Sequence, residues 1–123
     1  MENLQRTFSV LKALLKPYQP PLLPKLDDET HYDLWTVKDV VIAGRKKTEV
    51  FFAGLAMRQR YVSFYCMPIY MAPEIKTMLA PELLALLKGK SCFRIRKLDA
   101  ELMGQIEAAL KVGFEIYPRN GWV

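Results

Sequence analysis

Apolar positions recur at helical spacing at the start of the chain. Leu4, Phe8, Leu11 and Leu15 follow one another at steps of 4, 3 and 4, and Val10 and Leu14 widen the stripe. This pattern predicts an amphipathic helix over residues 2–15 that buries one face against the rest of the fold. Lys12 and Lys16 suit the negative end of its dipole, and Pro17 stops it. Four prolines then fall between Pro17 and Pro24. Each fixes φ and removes a backbone donor, so this stretch is predicted to be an extended, irregular connection.

The period then shortens to two. His31 to Val37 alternates aromatic and β-branched residues and predicts a strand, which Val40, Val41 and Ile42 continue after a bend at Lys38-Asp39. Ala43 to Lys47 is predicted as a basic turn. Glu49 to Arg58 is a near-continuous apolar run, as expected of a central strand covered on both faces for part of its length. A tight connection at Gln59-Arg60 leads to a strand over Tyr61 to Met67. There Val62, Phe64 and Cys66 share one face, and Tyr61, Ser63, Tyr65 and Met67 the other. Pro68 ends it. Pro73 to Met78 and Pro81 to Leu87 predict two short helices with Pro in the first turn, and Gly89 a helix C-cap. Ser91 to Lys97 alternates again, with Phe93 and Ile95 opposite Cys92, Arg94 and Arg96. Asp99 caps a last helix carrying Leu102, Ile106, Leu110 and Phe114, with Gly113 a permissive point near its end. Pro118 to Val123 reads as a tail. Strands joined by short turns imply an antiparallel sheet. The expected fold is a two-layer α+β sandwich with the N- and C-terminal helices on one sheet face.

Composition narrows the setting. A chain of 123 residues with 51% hydrophobic residues is the size of one domain, taken as residues 1–123, and excludes wholesale disorder. No run approaches the roughly 20 apolar residues that span a bilayer, and the first residues lack the pattern of a secretion signal. On those grounds the expected compartment is the cytoplasm, where two cysteines, Cys66 and Cys92, too few for a disulfide framework, stay as thiols. The net charge of +5 is unevenly spread. Residues 36–97 carry 12 Lys and Arg against 4 Asp and Glu, while both ends are mildly acidic. Any anionic partner is therefore expected on the sheet side.

Several phrases resemble the YdhG-like family of uncharacterised domains: Phe51-Phe52-Ala53, Tyr61-Val62-Ser63-Phe64-Tyr65, Met67-Pro68-Ile69-Tyr70, Gly89-Lys90-Ser91-Cys92-Phe93 with Ile95 and Lys97-Leu98-Asp99, and the closing Gly121-Trp122. The resemblance covers about residues 30–122. It implies a frataxin-like sandwich, and one branch of the family is described as an iron chaperone. Frataxins bind iron through an acidic ridge on the first helix and the adjoining strand. Here the first helix has one acid, Glu2, against Arg6, Lys12 and Lys16. The nearest acidic cluster is Asp27, Asp28, Glu29 and Asp33 with His31, a set of oxygen ligands and one imidazole suited to loosely held iron or another divalent ion.

No Ser-His-Asp arrangement is available with a single histidine, and no other catalytic motif is present. Gly89-Lys90-Ser91 follows a predicted helix and precedes a strand, the reverse of a nucleotide-binding phosphate loop. Lys90, Ser91 and Arg94 remain candidates for a single small anion. Cys92 alternates with Arg94 and Arg96, neighbours that favour a thiolate, although an unpaired Cys is most often a small core residue. Arg58, Arg60, Tyr61, Tyr65, Lys90, Ser91, Cys92, Arg94 and Arg96 therefore form the candidate partner face. Exposed cations also serve simply to keep antiparallel sheets soluble. The expectation is a non-enzymatic binding or accessory domain without a cofactor. Its partner is a protein or small anion ahead of nucleic acid, and a homodimer is an option. The alternative is a metal-handling protein using the acidic cluster.

Overall fold

The computed structural model describes residues 3–123. Helix α1 (Leu4–Leu15) starts at the Asn3 cap, whose side chain accepts the Arg6 N–H at 3.1 Å. Residue 2 of the predicted helix, Glu2, lies outside the described residues. The buried positions Phe8, Leu11 and Leu15 are those of the apolar stripe. The proline stretch opens with a short 3-10 turn, Lys16–Tyr18, and runs on irregularly.

The main sheet is antiparallel with five strands. In spatial order they are β1 (His31–Trp35), β4 (Phe51–Met57), β5 (Val62–Cys66), β7 (Cys92–Ile95) and β6 (Leu87–Lys88). The register sets Leu55 between Tyr32 and Phe64, Phe64 opposite Phe93, and Val62 opposite Ile95. These apolar residues form the inner face. Helices α1 and α4 (Ala100–Phe114) cover it, and α4 is capped by the Asp99 carboxylate accepting the Leu102 N–H at 2.7 Å. The α+β expectation with both terminal helices on the sheet is met. Among the described residues no helix is long and apolar enough to cross a membrane.

Several predicted elements differ. Val40–Ile42 (β2) does not continue β1. The register shifts at Leu34/Trp35, Thr36 bonds to Val50, and the chain leaves the sheet. Strand β2 pairs instead with Arg45–Lys47 (β3) in a separate hairpin, whose turn residues Ala43 and Gly44 have φ of 53° and 78°. Pro68 does not simply end β5. It sits in the first turn of α2 (Met67–Met71), where its missing N–H would be unbonded anyway. Pro73–Met78 is a 3-10 helix, and α3 spans only Pro81–Leu84. Leu87 and Lys88 pair with Phe93 and Cys92, so Gly89, with φ 75°, turns a hairpin rather than capping a helix. The predicted tail begins inside α5 (Ile116–Arg119), and Trp122 packs edge-on against buried Tyr117 at 5.1 Å. The Tyr117 hydroxyl donates to the Phe51 carbonyl. Gly113 is a close-contact site against Pro68.

Candidate functional site

On the sheet face opposite α1 and α4 the central residues are small. Gly54, Ala56 and Ser63 are buried beneath larger neighbours. A Cβ at Gly54 would come within 3.0 Å of the Phe51 ring and 3.3 Å of Asp33, so glycine is what lets that ring lie on the sheet. Around this floor stand rings and cations. Trp35 and Phe51 pack at 5.1 Å, and Lys25 lies 4.1 Å over the Trp35 ring. The guanidinium of Arg94 lies 5.0 Å over Tyr61. Arg58 crosses the floor, donating from Nη2 to the Tyr65 hydroxyl at 2.9 Å and from Nε to Ser63 Oγ at 3.3 Å. The Tyr65 bond raises the Arg58 pKa further, so this cation is permanent.

The turn between β4 and β5 closes with the Arg58 N–H on the Tyr61 carbonyl at 2.9 Å. It thereby sets Arg58, Arg60 and Tyr61 beside Arg96, just beyond the end of β7. These residues, with Met57 and Gln59, line a cleft of about 550 Å³. Three arginines contribute to it and no carboxylate does. Among the described residues, none of the three is in an ion pair.

The other candidates divide. Tyr65 and Arg94 lie on the same face as this cleft and adjoin it. Lys90 and Ser91 occupy the β6–β7 turn at the opposite end of β7, six residues and about 20 Å of strand from Arg96. There the Lys90 ammonium lies 5.6 Å over exposed Tyr70, and the Ser91 carbonyl accepts the Cys66 N–H. Lys90 and Arg94 thus lie over different rings, Tyr70 and Tyr61. Cys92 is half-buried opposite Tyr65, neither sealed under a helix nor fully open. Cys66 is buried, and burial pushes its thiol up to about 12.

The acidic segment is held by local bonds. The Asp28 carboxylate accepts the N–H groups of Thr30 and His31, each at 2.8 Å, which keeps its pKa below the ordinary value. Asp33 accepts the N–H groups of Lys25 and Leu26 at 2.7 and 2.9 Å. Asp27 pairs with Lys12, and His31 Nδ1 meets Thr30 Oγ1 at 2.9 Å. Glu29 is exposed. Among the described residues no three His, Cys, Asp or Glu side chains group to hold a metal ion.

Two features escaped sequence reasoning. Lys25 reaches Trp35 from the irregular proline segment, where no period reveals facing. Gln105 Oε1, at the edge of the buried α4 stripe beside Leu102 and Ala109, is buried without a hydrogen-bond partner. No family model matches this chain, and neither a curated protein nor a solved structure does.

Proposed function

We propose that this protein is a non-enzymatic binding module that holds an anionic partner on the outer sheet face, anchored at the cleft of Arg58, Arg60 and Arg96. The convergence of three arginines without a carboxylate carries this reading. Like charges held together repel, and an anion entering between them relieves that repulsion while gaining charge-assisted, bidentate hydrogen bonds. The adjoining Tyr61 and Tyr65 add flat apolar surface and a hydroxyl. The cleft's size suits a phosphate- or carboxylate-bearing small molecule or an acidic protein side chain, ahead of a long nucleic acid track. Kinship with the YdhG-like domains is proposed on the sequence phrases alone, and a cytoplasmic setting on the two unpaired cysteines.

The test is titration calorimetry with pyrophosphate together with retention on a heparin column. Replacing Arg58 and Arg96 by Glu should abolish measurable pyrophosphate binding and advance elution. Retention and affinity equal to the unaltered protein would refute the reading. Far-ultraviolet circular dichroism of the variant confirms that the exposed substitutions leave the fold intact.

A further inference from the structure

A second depression lies around the corner from the arginine cleft, where the sheet edge meets α4. Strand β6 pairs only with Cys92 and Phe93, so the edge of β7 away from β5 has no strand neighbour at Ile95. The space left is a groove of about 740 Å³, within the range of small-molecule sites. Its sheet-side wall presents Lys88, Arg94, Arg96 and Lys97, and its helix side presents Glu82 and Glu101. Asp99 also borders it, but that carboxylate is engaged as the α4 cap. Opposite charges thus line one groove. Among the described residues none of them is paired within 4 Å.

The helix side also contributes Gln105, whose Oε1 is buried with no partner. A buried acceptor without a donor is costly, and such exceptions call for a physical account. A ligand N–H in the groove meets this acceptor once the Gln105 side chain turns outward. Charge separation across the groove and an unmet acceptor on its anionic side together define the ligand's two ends.

We propose that this groove binds a small zwitterion of the amino-acid or dipeptide class. Its carboxylate faces Arg96 and Lys97, and its ammonium or amide N–H reaches Gln105 Oε1 near Glu101. The site shares Arg96 with the arginine cleft, but Glu101 and Gln105 lie outside that cleft, so loss of Gln105 tests it separately from the anionic-partner reading.

The test is ¹H–¹⁵N NMR titration of the full chain with free amino acids and glycylglycine at millimolar concentration. Acetate and ethylamine serve as probes of each half. Saturable shifts confined to Arg96, Lys97, Glu101 and the Gln105 side-chain amide are expected for at least one zwitterion. Either half-probe alone should bind at least tenfold more weakly. Gln105→Leu should weaken zwitterion binding about tenfold while leaving pyrophosphate binding unchanged, and Gln105→Glu should retain zwitterion binding. Absence of shifts with every zwitterion overturns the proposal. So does acetate binding as tightly as glycylglycine, which would reduce the groove to an anion site. Equal loss in Gln105→Leu and Gln105→Glu would also overturn the role of the buried acceptor.

Discussion

Two glycines in α4 have opposite expected responses to the same substitution. In a helix interior Ala is favoured over Gly by roughly 0.8–1 kcal/mol, because the flexible glycine loses more backbone entropy on folding. At Gly104 a methyl group would meet nothing within 4 Å. Gly104→Ala is therefore expected to stabilise the protein by about 0.5–1 kcal/mol. At Gly113 the same methyl would lie 2.8 Å from Pro68 Cγ and 2.9 Å from Pro68 Cβ. Comfortable carbon contacts lie near 3.5–4.0 Å, so a shift of about 0.7 Å is required. The proline ring cannot rotate away. Pro68 is buried in the first turn of α2, so α2 must move against α4. Overpacking of this kind costs about 1–3 kcal/mol, which exceeds the propensity gain. The net expectation for Gly113→Ala is a loss of about 1–2 kcal/mol, and the two variants should differ by about 1.5–3 kcal/mol. Urea denaturation at constant slope measures both. If Gly113→Ala proves as stabilising as Gly104→Ala, the close packing of α2 on α4 is wrong.

Other expectations follow from single contacts. Tyr117→Phe deletes the hydroxyl that satisfies the Phe51 carbonyl where β1 and β4 lose register, and should cost about 1–3 kcal/mol by the same denaturation assay. Asp99→Ala removes the α4 cap and should cost about 1 kcal/mol, whereas Asp99→Asn should keep most of it. In native protein one thiol, half-buried Cys92, should react promptly with a disulfide reagent, and buried Cys66 only after unfolding; two fast thiols would contradict the packing. Stability should also fall in alkali. Burial raises the folded pKa of Cys66 from 9.0 to about 12 and of Tyr32 from 10.0 to about 12. Their contribution is complete below about pH 9. It declines as the unfolded chain ionises first, and the decline runs to about pH 12. Cys66→Ala should move the onset of that decline upward.

The sequence alone determined what repeats often enough to average out exceptions. Helix α1 offers three full turns of apolar stripe. The faces of β5 and β7 follow from strict alternation, so Phe64 and Phe93 inward, and Tyr65 and Arg94 outward, were legible before any pairing was known. The same holds for Asp99 as a cap and for the concentration of cations on the sheet segment. Elements of two or three residues carry too few periods to announce themselves. Leu87 and Lys88 read as the end of a helix until Phe93 and Cys92 stand beside them, and β2 reads as an extension of β1 until the register shift at Trp35 turns the chain away.

What only the tertiary structure decided is which outward residues meet. Alternation sends Arg94 and Arg96 to one face, but the turn at Gln59-Arg60 and the antiparallel register bring Arg58, Arg60 and Arg96 around one cleft and leave Lys90 at the far end. Backbone bonds within the acidic segment occupy Asp28 and Asp33, a use that counting carboxylates does not reveal. Gly113 looked permissive because helical periodicity describes one helix at a time; its neighbour Pro68 lies 45 positions earlier in the chain. The unmet acceptor of Gln105 has the same origin. Local pattern fixes which side of an element is buried, while long-range register fixes what it is buried against.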